Sequence, residues 1–222
     1  MVKPEGVKDV KTVMVKTENC VGCRHCELAC SLEHSSLDNT YELFQQKPPL
    51  SARIDVRTGI DLLNFPLRCQ HCDPAPCLEI CPSGAISRDR PTETVQVNDD
   101  DCISCGMCAM VCPYSAITFP VYREKMPGTE KVKASAYKCD DCLERRQEGD
   151  IPACTEACRT GALEFGEIDE MVSADRDELA VLLTAEASGK RGERRPKNME
   201  KYRELKLKMA GLGPFPASRK EE

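Results

Sequence analysis

Sixteen cysteines in a chain of 222 residues are the side chains able to do chemistry here, and none is left over when they are grouped. CVGCRHCELAC supplies Cys20, Cys23, Cys26 and Cys30. CQHCDPAPCLEIC supplies Cys69, Cys72, Cys77 and Cys81. CISCGMCAMVC supplies Cys102, Cys105, Cys108 and Cys112. CDDCLERRQEGDIPACTEAC supplies Cys139, Cys142, Cys154 and Cys158. The first and third groups read C-x2-C-x2-C-x3-C. In that run a tight loop wraps three thiolates around one [4Fe-4S] cluster, and the fourth cysteine ligates a neighbouring cluster. Zinc sites use two separated hooks around one tetrahedral ion and do not need four close cysteines in series.

Every group ends in C-x3-C, and cysteines four apart share one helix face, so a short helix can reach from one cluster to the next. The exits CPSGAI, CPYSAI and CRTGAL also rhyme, while the first group departs as CSLEHS and the fourth carries Arg159 in place of proline. Between the second and third groups the sequence reads as a strand over Ala85 to Ser87, a turn over Asp89 to Thr92, and a strand over Thr94 to Val97. That short link makes the second and third groups one unit and leaves the first and fourth as another. The swapped fourth cysteine then assigns four [4Fe-4S] sites: Cys20/Cys23/Cys26/Cys158, Cys30/Cys139/Cys142/Cys154, Cys69/Cys72/Cys77/Cys112 and Cys81/Cys102/Cys105/Cys108. The competing arrangement pairs neighbours, first with second and third with fourth.

The elements that must position these ligands have little apolar material, since the chain has no tryptophan and is 5% aromatic. Disulfides or metals must help hold the fold. The first residues carry no apolar signal core and no run is long enough to cross a bilayer, so the expected location is the cytoplasm, where thiols stay reduced and metal is favoured over disulfide. Net charge is −6; the tail from 189 onward carries +6, leaving −12 on the cysteine-rich body, which argues against nucleic-acid binding.

Other candidates read as background. Arg24, Arg68 and Lys138 sit beside ligands and could offset cluster charge; the favoured reading is that they are solvated surface residues. Gly22 and Gly106 can present backbone N–H groups to sulfur. His25, His34 and His71 are not needed as ligands beside full thiolate sets; His25 and His71 are expected to cap loops or touch sulfur. Asp99 to Asp101 read as a solvated strand end. No nucleophile–base pair and no phosphate loop is present, so no catalytic residue is assigned.

PLRCQHCDPAPCLEICPSGAI and YKCDDCLERRQEGDIPACTEACRTGAL resemble the second and fourth motifs of the four-cluster electron-transfer subunits of bacterial oxidoreductases. These serve formate dehydrogenases, dimethyl sulfoxide and polysulfide reductases, hydrogenases, carbon monoxide dehydrogenases and tungsten aldehyde oxidoreductases. The resemblance, from about Val13 to Phe165, implies an α+β fold of two ferredoxin-like two-cluster units, one inserted into the other, and the same first-with-fourth pairing. It implies a non-catalytic relay of single electrons between a catalytic oxidoreductase subunit and a second redox protein. The rival readings are a cysteine-rich zinc scaffold and a free polyferredoxin.

The expected organisation is a first half of the outer unit with an insert over 1–65, an inserted two-cluster unit over 66–120, the second half of the outer unit over 121–170, and a basic helical C-terminal extension over 171–222. The insert holds one strand, ARIDVR, and serves as a lid or partner contact. The extension begins with a helix over 173–188, N-capped by Ser173, and continues through a basic linker to a second amphipathic helix over 197–213 that docks on a partner subunit or a second copy. In the fourth group, an excursion turning at Glu148-Gly149-Asp150 is expected to carry Arg145 and Arg146 as a docking surface.

Overall fold

The computed structural model describes residues 11–45, 51–126 and 129–187. In chain order the elements are β1 (Lys11–Val15), α1 (His25–Glu33), α2 (Thr40–Gln45), β2 (Asp55–Thr58), β3 (Asn64–Leu67), α3 (Pro76–Glu79), β4 (Ile86–Asp89) and β5 (Thr94–Val97). Then follow α4 (Met107–Val111), β6 (Val121–Met126), β7 (Thr129–Ala134), α5 (Leu143–Gln147), α6 (Ala153–Glu156), β8 (Leu163–Glu167) and α7 (Ile168–Ala187). The result is an α+β fold of mostly very short helices and four two-stranded antiparallel ribbons.

β1 pairs with β8, the last strand, in the register Val13 to Phe165 and Val15 to Leu163. The ribbon therefore joins the segment before the first cysteine group to the segment after the fourth. β4 pairs with β5, Ile86 opposite Val97, between the second and third groups. β2 pairs with β3 and β6 with β7. α1 packs against α6, and α3 against α4.

Two apolar cores follow from this pairing. One gathers Val13, Ile54, Val56 and Leu163 with Cys26, Cys30 and Cys154; the other gathers Ala75, Ile86, Val95, Ile117 and Ala136 with Cys108. Each core is small and contains cysteines, so ligand gathering and core formation are one event. The compact unit that holds them spans residues 1–171; the second spans 172–222, of which 172–187 are described.

Several expectations shift. The strand foreseen in ARIDVR covers Asp55–Thr58, and the insert also holds α2 and β3. The first strand between groups two and three runs to Asp89 rather than Ser87. α7 starts at Ile168, five residues before Ser173, because Asp169 and Glu170 already place acidic charge in its first turn. The second tail helix, the basic linker and any docking or self-association through them lie outside the described residues. Among the described residues no helix is long and apolar enough to cross a membrane.

Leu163 is 3% exposed in the first core. Leu163→Ala should cost about 2–4 kcal/mol, whereas Tyr41→Ala, at a site 72% exposed, should cost under about 0.5 kcal/mol. Guanidinium midpoints of anaerobically purified protein check the contrast.

Candidate metal centres

All four C-x2-C loops turn the same way. The residue before the second cysteine has positive φ in each: Gly22 (69°), His71 (48°), Ser104 (58°) and Asp141 (59°). Only one of the four is glycine, so three positions hold a side chain in the left-handed region, which costs about 1–2 kcal/mol each. The conformation curls the loop and turns backbone amides inward. The amide of His71 donates to Cys69 Sγ at 3.5 Å, and that of Asp141 to Cys139 Sγ at 3.4 Å. Arg53, Ala116 and Ala136 donate from farther along the chain to Cys30, Cys112 and Cys102. Gly22 has a second constraint: a Cβ there would lie 2.8 Å from the Asn64 side chain.

The C-x3-C pairs ride on single helical turns. Cys26 and Cys30 lie in α1; Cys77, Cys108 and Cys154 lie in α3, α4 and α6, with Cys81, Cys112 and Cys158 just beyond each. Cys26 lies within electrostatic reach of Cys23 and Cys158, and Cys30 within reach of Cys139, Cys154 and Cys142. Cys77 feels Cys69 and Cys112, and Cys108 feels Cys102 and Cys105. Cys69, Cys72, Cys77 and Cys112 line one small cavity; Cys81, Cys102, Cys105 and Cys108 line another.

Burial and mutual repulsion make these thiols hard to ionise. Desolvation pushes Cys26, Cys142 and Cys154 up to about 12 and Cys30 well above its ordinary value. Cys81 and Cys158 go the other way: bonds from Ser83 and from Leu163 and Thr160 outweigh their desolvation. A set of four buried thiols that must ionise together requires a multivalent cation, so the donor chemistry fits iron.

Polar atoms agree. His71 Nδ1 accepts from the Val95 amide at 3.0 Å, so its proton sits on Nε2, which is buried with no protein partner. The Nε atoms of Arg68 and Arg53 are also buried and unpartnered. A buried donor without an acceptor costs about 1–3 kcal/mol; for His71 and Arg68, which lie beside Cys139 Sγ, cluster sulfur is an acceptor class that fits.

Charged residues depart most from the sequence reading. Arg24 is solvated, 62% exposed at the side chain. Arg68 and Lys138 are not: they are 1% and 5% exposed. Arg68 donates to the Val13 carbonyl at 3.0 Å and pairs with Asp141 at 2.7 Å, with Cys139 Sγ at 3.9 Å. Lys138 Nζ donates to the carbonyls of Val95 and, at 2.9 Å, Cys139. Both cations hold backbone carbonyls beside thiols, which keeps them from water.

The turn at Glu148-Gly149-Asp150 forms, with Gly149 at φ 97° ending α5. Arg145 and Arg146 are half-buried and engaged within the chain. Arg145 binds Glu33 at 2.8 Å, Glu156 and the Ile151 carbonyl; Arg146 pairs with Asp141 at 2.5 Å and stacks 5.0 Å from the Phe165 ring centre. Both arginines brace the excursion from within, while Glu144 and Gln147 to Ile151 stay exposed.

His34 bonds Asp140 at 2.9 Å and the Cys30 carbonyl at 2.8 Å; His25 is exposed at the start of α1. Asp99, Asp100 and Asp101 are exposed at the end of β5. The buried network around Asp141 and the αL residues of the loops were missed from sequence. Adjacency of Arg68 and Lys138 to ligands was the one signal available.

The fold and the cysteine sets define a ferredoxin-like iron–sulfur protein. Residues 60–168 match the model of the 4Fe-4S dicluster domain. The chain is 34% identical to an iron-sulfur protein of Rhodospirillum rubrum, over 73% of this chain and 85% of the relative. It is 37% identical to the electron transport protein HydN of Escherichia coli, over 68% and 85%. It is 34% identical to the B subunit of the anaerobic dimethyl sulfoxide reductase of the same species, over 75% and 78%. The chain belongs to the family of ferredoxin-like iron–sulfur electron-transfer proteins, and its cofactors are [4Fe-4S] clusters, with cysteines enough for four.

Arg146→Ala removes one of two guanidiniums from Asp141 and the stack on Phe165. It should cost about 2 kcal/mol, while Arg24→Ala should cost less than about 0.5 kcal/mol. Denaturant midpoints of the two variants check the contrast.

Proposed function

We propose that this chain is the non-catalytic electron-transfer subunit of an oxidoreductase complex, relaying single electrons through four clusters in series. Cys20, Cys23, Cys26 and Cys158 hold the first; Cys30, Cys139, Cys142 and Cys154 the second; Cys69, Cys72, Cys77 and Cys112 the third; Cys81, Cys102, Cys105 and Cys108 the fourth. The electrostatic neighbours of Cys26, Cys30, Cys77 and Cys108 support these sets. The β1–β8 ribbon and the two separate cores support an inner two-cluster unit, 66–120, inserted between halves of an outer one, 1–65 and 121–170.

The observation that carries the relay is where the thiols meet solvent. Cys23 and Cys105 are the exposed cysteines, one in each outer set. The second set is entirely buried. α1 joins the first set to the second, and the turn from Cys77 to Cys81 joins the third to the fourth. When bound, a [4Fe-4S] cluster supplies reversible one-electron storage. The protein's part is to hold the sets, keep the second from water and expose one cysteine of each outer set. A donor docked at one end loses one electron for each that an acceptor gains at the other.

The donor and acceptor fitting this reading are a catalytic subunit, of the tungsten or molybdenum aldehyde oxidoreductase, formate dehydrogenase or carbon monoxide dehydrogenase class, and a second redox protein. Sixteen cysteines suit a reducing, cytoplasmic setting.

Anaerobically purified protein should contain about sixteen iron and about sixteen sulfide per chain, four of each per cubane; zinc without sulfide would overturn the reading. The pairing has its own test. Cys30→Ala with Cys154→Ala removes two ligands of one cluster and should cost about four irons, whereas pairing of neighbouring groups predicts a loss of about eight.

A further inference from the structure

Arg68 and Lys138 are the buried cations among the described residues, and both neighbour cysteines of the two inner sets. Arg68 reaches Cys139 Sγ of the second set at 3.9 Å and directly precedes Cys69 of the third. Lys138 bonds the Cys139 carbonyl and acts electrostatically on Cys77 of the third set. His71, inside the third set's loop, lies with a ring nitrogen within 4.8 Å of Cys139 Sγ and an Asp141 oxygen. Its Nε2–H and the Arg68 Nε–H have no acceptor in the protein. One buried carboxylate, Asp141, stands against these two cations and Arg146. The outer sets differ: Cys26 is influenced by Glu27 and other thiols, and Cys108 by thiols and backbone amides.

We propose that Arg68 and Lys138, with the Nε2–H of His71, form a built-in charge offset that raises the reduction potentials of the two inner clusters, so that an electron meets no barrier halfway along the relay. This offset presupposes the four-cluster reading. Reduction adds negative charge to a site that is already anionic. Neither inner set has an exposed cysteine, whereas each outer set has one; away from solvent the added charge is less favourable than near it, so without compensation the inner clusters would fall below the outer ones. A fixed cation and donor hydrogen bonds to sulfur favour the reduced form and act in the opposite direction. The excess of buried positive charge over Asp141 is what the reduced clusters would neutralise.

EPR-monitored redox titration of the full chain, purified anaerobically, tests this. Lys138→Gln should make one or two of the four midpoints more negative, by about tenfold in electron partition or ~59 mV for a one-electron couple, with iron content unchanged. Lys138→Arg keeps the charge and should keep the midpoints. Gln96→Glu is an isosteric change in the polar cavity that Lys138 also lines. It should shift the same midpoints in the same direction without touching a buried pair. It therefore decides the matter if Lys138→Gln fails to load iron. Unmoved midpoints in an iron-replete variant, or equal shifts in Lys138→Arg and Lys138→Gln, would overturn the proposal. Iron and sulfide far below about sixteen in the unaltered protein would instead sink the relay reading on which it rests.

Discussion

Four thiolates cannot share a protein interior without positive charge among them. The rest of this structure depends on that constraint. The apolar cores are too small to hold the chain alone, and they are partly made of the cysteines themselves. Burial pushes Cys30, Cys142 and Cys154 away from ionisation, so these thiols are unfavourable as thiolates until iron arrives. Metal binding and folding are then the same free energy seen from two sides.

The backbone answers the same constraint. Left-handed residues at Gly22, His71, Ser104 and Asp141 curl four loops alike, although their side chains have nothing in common. Strain of that kind persists where surrounding structure over-determines it. Here amide bonds to sulfur and the antiparallel ribbons do so. α1 carries Cys26 and Cys30 one turn apart, which couples the geometry of the first loop to the helix behind it.

Charge is arranged with equal economy. The body carries a large formal excess of acid, yet its buried charges include two cations and one carboxylate. Arg68, Asp141 and Arg146 tie β1, the fourth cysteine loop and α5 into one network, with Phe165 of β8 against it. A guanidinium can do this because its planar fork serves a carbonyl and a carboxylate at once.

The sequence by itself determined the cofactor class, the four cysteine groups and the helical turn behind each C-x3-C, because ligand spacing is a local property set by loop length and helix period. Thr94–Val97 and the turn at Gly149 were legible for the same reason. Residues 121–134 gave no such cue, and the β6–β7 ribbon was missed. Tertiary structure decided what distance along the chain conceals. It brought β1 to β8 across the whole cysteine region, moved Arg68 and Lys138 from expected surface to interior, and gave Arg145 and Arg146 partners within the chain. Burial and ion pairing depend on which segments meet, and no pattern within a few residues of Arg68 records that Asp141, 73 positions away, will be its partner.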